Sequence, residues 1–199
     1  MIIPESASYL YMPITRNIPI DILHAGSWFN KLKKWRGSLP EELLMEDFYQ
    51  ILPKSINKVF GFSDTVELCC FVPKGFLFNG ASIPRALAFI YLPDDILYLG
   101  AFLHDFMYSY AGLMVFTEDM DEMIFSSVSR SGADYIFNEM NEIVNDFSIG
   151  TYPAYKVLRL VGGPVWNKCK VSYSFIKDFP QYEDIYLKGK LNEEALWEN

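Results

Sequence analysis

The feature that most constrains this chain is a change of hydrophobic period part-way along it. From Asp47 to Phe78 the apolar residues come in short β-branched and aromatic runs, FYQIL, NKVFGF and TVELCCFV, separated by Pro53, Gly61, Ser63 and Asp64. Runs of this length between turn residues predict three strands of a small antiparallel sheet. After FNGASIPR the spacing becomes three to four residues. Ile96, Leu99, Leu103 and Met107 then form one stripe, which predicts a helix over Asp94 to Tyr110. Thr117 followed by Glu118 and Asp119 reads as an N-cap with carboxylates in the first turn, predicting a second helix to Ser129. A third is expected over Ala133 to Phe147, and a fourth over Pro153 to Lys168, interrupted or kinked at Gly162, Gly163 and Pro164. The fold class expected is therefore α+β: a small antiparallel β-sheet followed by about four helices.

The flanks have a different texture. Residues 1–45 carry Pro4, Pro13, Pro19 and Pro40 among apolar side chains, with a basic stretch at Lys31, Lys33, Lys34 and Arg36. They read as an extended N-terminal arm, with a short helix from Glu41. From Cys169 the chain lacks clear periodicity until LNEEALWE, which sets the expected domains at 1–45, 46–168 and 169–199, arm, core and C-terminal tail. With 51% hydrophobic and 17% aromatic residues the chain has ample material for a core, and intrinsic disorder is excluded as its main character.

Charge and motif content exclude several functions. A net charge of −8 repels phosphate backbones, so no nucleic-acid partner is expected. The apolar stretch from Ala86 to Leu103 is broken by Pro93, Asp94 and Asp95, and no membrane span is expected. The N-terminus has neither the basic nor the apolar region of a signal peptide. Cys69, Cys70 and Cys169 match no disulfide framework or CxxC pair, which points to a reducing compartment and away from zinc. No GxGxxG or P-loop spacing supports nucleotide binding.

Two histidines limit histidine chemistry to His24 and His104. His104 is the better candidate, because Asp105 follows it and Tyr108 stands one helical turn on, all among apolar residues that would perturb an ionisable group. The alternative is a buried histidine that serves packing alone. The loop Phe76 to Pro84 holds Asn79, Gly80 and Ser82, which either make a plain turn or deliver Asn79 or Ser82 into the space over His104.

The segments VPKGFLFNGASIP, AFLHDFMYSYAG, TEDMDEMIF and YPAYKVLRLVGG, in that order, resemble the family called domain of unknown function 1353, widespread in tailed bacteriophages and prophages. The family's pattern is a VPxGFxTDGASIP strand and turn, an LHDYLY helix, and a helix with an Asp shortly before a Phe. The resemblance spans about residues 46–168. Asn79 stands where the family has Asp, removing a negative charge, and either Asp121 or Glu122 matches the family's Asp ahead of Phe125. The resemblance implies a bacteriophage protein, in the virion or the host cytoplasm, with other phage proteins as partners through arm and tail. A particle-assembly component with a mainly structural His-Asp site is one expectation, and a hydrolase is the other.

A more local similarity suggests how such a hydrolase would work. His-Asp-x-x-Tyr on a helix is similar to phospholipases A2, in which the His activates water, the Asp binds calcium, and the Tyr helps hold a carboxylate that orients the His. That likeness would give His104 the role of base, Asp105 that of ligand for Ca2+ or Mg2+, and Tyr108 with Asp121 or Glu122 the orienting roles. The glycine-rich calcium loop and the disulfide cysteines of those enzymes are missing here.

Overall fold

The computed structural model describes residues 15–18, 41–78, 98–117, 123–144, 151–172 and 174–197. Within them the fold is α+β, with two antiparallel sheets and helices on either side of the larger one. Strands β1 (Thr15–Ile18), β2 (Glu41–Leu44) and β5 (Leu77–Phe78) form the smaller sheet in the order β1-β2-β5. The larger sheet has the order β3-β4-β6-β7, from β3 (Phe48–Ile51), β4 (Leu68–Val72), β6 (Gly112–Thr117) and β7 (Ile124–Ser127). The helices are α1 (Tyr98–Tyr110), α2 (Arg130–Val144), α3 (Thr151–Ser172), α4 (Phe175–Asp178) and α5 (Glu183–Trp197). No helix of the described residues is long and apolar enough to cross a membrane.

Every residue of β4 and β6 is buried, which explains why LCCFV and GLMVFT run apolar without alternation: both faces of the sheet are covered. On one face Phe48 meets Phe102 of α1 edge-on. On the other, Phe71 meets Tyr182, and Phe125 packs on Phe175 and Tyr186. The second face is thus covered by residues expected to be a tail, and Phe175 and Phe179 are each 3% exposed. Gly189 lets α5 seat directly on β7, since an added Cβ would overlap the Phe125 carbonyl oxygen. The domain boundary expected at 169 falls inside α3.

Several local expectations are corrected. NKVFGF is not a strand: residues 54–59 form a 3-10 turn that buries Ile56 and Asn57, and the Asn57 amide donates to the carbonyls of Ser63 and Val66. Glu41–Leu44 is a strand, not the start of a short helix, because β1 and β5 bond it from both sides and Leu44 is buried. The expected helix from Thr117 to Ser129 is replaced by β6 and β7, with Met114 opposite Phe125. Thr117 is therefore a strand end, paired with Leu68, and not an N-cap. The third helix is found three residues earlier at each end, and the fourth is one continuous helix through Gly162, Gly163 and Pro164. Pro164 removes the bond to the carbonyl of Leu160, on the side of α3 where Leu160 is 83% exposed. At the corner from α1 into β6, Ala111 adopts φ 53° and its N–H bonds the Met107 carbonyl at 2.8 Å. That left-handed residue ends α1 one position before the strand.

Candidate functional site

Three helices bring their polar groups to one carboxylate. His104 and Tyr108 lie four residues apart on α1, so their rings share a face, with centroids 4.0 Å apart. The antiparallel packing of α1 on α2 sets Asp134 opposite them. His104 Nε2 is 3.1 Å from Asp134 Oδ1, and the Tyr108 hydroxyl donates to the same oxygen at 2.7 Å. Arg159 of α3 donates from Nη1 to Oδ2 at 3.1 Å. Phe137 packs edge-on against the His104 ring, and Trp166 against Tyr108. Gly162, three residues after Arg159, allows α3 this close, because an added Cβ would overlap the Tyr108 hydroxyl.

The electrostatics follow from burial and bonding. Asp134 has no exposed side-chain surface, and burial alone would raise its pKa; hydrogen bonds from His104 and Tyr108, the His104 charge and the Arg159 bond outweigh this and hold the carboxyl below its ordinary value. His104, 6% exposed, is pushed below its ordinary value by burial, against the pull of Asp134. Burial, reinforced by Asp134, raises the Tyr108 phenol. The network therefore holds an ionised carboxylate, a neutral imidazole and a neutral phenol. Since the carboxylate can only accept, the imidazole proton sits on Nε2 and Nδ1 keeps its lone pair.

These directions imply a pH dependence with a definite sign. The folded pKa of His104 lies below its ordinary 6.5, so between the two values the unfolded chain binds the extra proton. The stabilisation is complete above pH 6.5 and is lost as pH falls through the folded value. Asp134 acts in the same direction at lower pH, below its ordinary 3.8. Denaturant midpoints measured from pH 8 down to about 5 should fall for the wild type and fall less for His104→Gln. Parallel curves for the two proteins would contradict the assignment.

Of the residues singled out from sequence, His104 and Tyr108 meet. Asp105 is half-buried on α1; its charge, added to the larger effect of burial, raises the thiol of Cys169. Among the described residues no three His, Cys, Asp or Glu side chains are grouped to hold a metal ion. Asn79, Ser82, Asp121, Glu122 and His24 lie outside the described residues. Cys69 and Cys70 are buried thiols, and burial pushes Cys69 up to about 12, far from a reactive thiolate.

Asp134 and Arg159 were not expected from sequence. Asp134 had two signals. It stands with Asn138 and Asn141 at helical spacing on a stripe shared with buried Ala133, Phe137 and Met140, and it precedes Phe137 by three residues. The Asp-before-Phe pattern thus occurs on α2 as well as ahead of Phe125. Arg159 carried no comparable signal, because its role depends on how α3 docks.

Residues 55–148 match the family model described as Protein of unknown function (DUF1353). The match covers 94 of the chain's 199 residues, a little under half. The DUF1353 segment contains His104, Tyr108 and Asp134, whereas Arg159 is supplied by α3 beyond its end. No curated protein and no solved structure shows a significant match to the chain.

Proposed function

We propose that the protein is a bacteriophage hydrolase in which His104 is the general base and Asp134 its positioning residue. The observation that carries this reading is the bond from His104 Nε2 to a fully buried, ionised Asp134. That bond selects the tautomer with a free lone pair on Nδ1, and burial keeps the ring unprotonated at neutral pH. A water at Nδ1 would give its proton to the ring as its oxygen attacks the substrate, and Asp134 would stabilise the imidazolium. The proton then passes to the leaving group. The local likeness to phospholipases A2 supports the same roles, with Asp134 as the orienting carboxylate from a second helix. The phage setting rests on the resemblance of the motifs to tailed-phage proteins.

A second reading, a particle-assembly component with a structural network, is favoured by one observation: His104 is only 6% exposed while Asp134 braces three helices at once. His104→Gln separates the two. As a general base, His104 contributes about 100- to 10,000-fold in rate, so plaque yield should collapse while the variant stays folded. As a brace, it contributes about 1 to 3 kcal/mol of stability, and yield should follow folding alone. Full yield from a folded His104→Gln variant would overturn the hydrolase reading. Stoichiometric copies in purified particles, measured by mass spectrometry, would support the particle role.

A further inference from the structure

We infer that the outer face of α3 docks on α5 of a second copy of this chain, in a head-to-tail contact. Leu160, Val161, Pro164 and Val165 fill adjacent positions of two successive turns and all face solvent, with Leu160 83% exposed and Val161 and Val165 54% each. Single exposed apolar residues are ordinary, whereas a contiguous group on one face marks a contact surface. The group has a basic residue at each end: Lys156 stands four residues before Leu160, and Lys168 four residues after Pro164. Across its 22 residues α3 holds Lys156, Arg159, Lys168 and Lys170 and no Asp or Glu, in a chain of net charge −8. A surface that complements this face is apolar at its centre and acidic at its margins.

The same chain carries such a surface. On α5 the exposed Glu183, Asp184 and Leu187, the last 44% exposed, stand at three- and four-residue spacing on the side turned away from β7. Lys188 borders them one turn after Asp184, and the balance of the face stays acidic. α3 packs on α1, which covers one face of the larger sheet, while α5 covers the other. The basic and the acidic surface therefore lie on opposite sides of the molecule, and one chain cannot satisfy either from within. Two copies of α3 packed antiparallel on each other would set the Lys156 end of each helix against the Lys168 end of the other, which like charges oppose. A contact between unlike surfaces repeats from copy to copy, closing into a ring or continuing as a filament. This inference goes beyond the reaction proposed at His104 and is independent of it.

Sedimentation equilibrium of the full chain at rising concentration should show growth beyond the monomer, weakening as salt screens the charged margins. Leu160→Asp and Leu187→Lys change exposed side chains, so each variant should melt as the wild type does, yet each alone should stay monomeric. Mixed in equal amounts they should form a one-to-one dimer, because the first keeps its α5 surface and the second its α3 surface. Reversing both acids together, Glu183→Lys with Asp184→Lys, should weaken self-association about 10-fold. A wild type that stays monomeric throughout the micromolar range would overturn the inference. So would a Leu187→Lys variant that still dimerises by itself, the mark of α3 pairing with α3. Binding of a monomeric wild type to phosphatidylglycerol vesicles, lost in Leu160→Asp, would also overturn it and assign the face to a lipid surface.

Discussion

Asparagine in place of Asp134 is expected to lower the melting temperature by roughly 5 to 15 °C, from a loss of about 2 to 4 kcal/mol in a chain of this size. The carboxylate accepts from His104, Tyr108 and Arg159 and is fully buried, so the amide keeps its shape but replaces an acceptor with a donor. Breaking a fully buried pair costs about 3 to 5 kcal/mol, and the exposure of Arg159 reduces that here because its charge can turn to solvent. The same variant removes the charge that selects the Nε2–H tautomer. Nitrogen chemical shifts of the His104 ring should move from a single tautomer toward a mixture, which simple loss of packing would not produce. An unchanged melting temperature and ring spectrum would show that Asp134 does not organise the site.

Truncation after Ser172 is the second large effect. It removes Phe175 and Phe179, both almost fully buried, and the half-buried Tyr182, Ile185 and Tyr186, which pack on Phe71, Phe106 and Phe125. At about 1.5 to 3 kcal/mol for each fully buried large apolar side chain, with less for the others, the loss is on the order of 6 to 10 kcal/mol. Native stability is about 5 to 15 kcal/mol, so residues 1–172 should show no cooperative melting transition and should bind a hydrophobic dye. A sharp transition in the truncated chain would restore 46–168 as an independently folding core.

Much of the fold was legible where local pattern and burial coincide. The stripe Leu99, Leu103 and Met107 predicted α1 and all three residues are buried, although the structure covers this helix nearly all round, burying Phe102, His104, Phe106 and Tyr108 as well. FYQI and LCCFV read as strands because they are short β-branched and aromatic runs bounded by turn residues. The hairpin of β6 and β7 was misread because Thr117, Glu118 and Asp119 imitate a helix start, while Leu113 to Phe116 form a continuous apolar run that suits a buried strand or helix equally. Pairing with β4 decided it. The C-terminal segment was read as a tail because its aromatic residues meet several elements at once and so lack a single repeating face.

The site divides along the same line. The sequence by itself determined that His104 and Tyr108 share a surface, since four residues of α-helix place them one turn apart whatever else the chain does. It also determined the acidic balance and the similarity of residues 55–148 to that family model. Only the tertiary structure decided which carboxylate they meet. The rotation of α2 about its axis and the glycine-permitted approach of α3 are long-range packing outcomes, and they brought Asp134 and Arg159 to a histidine 30 and 55 residues away in the chain. Helical periodicity encodes neighbours on one helix, but the register between helices is set by the fit of whole side-chain surfaces, and a linear pattern does not carry it.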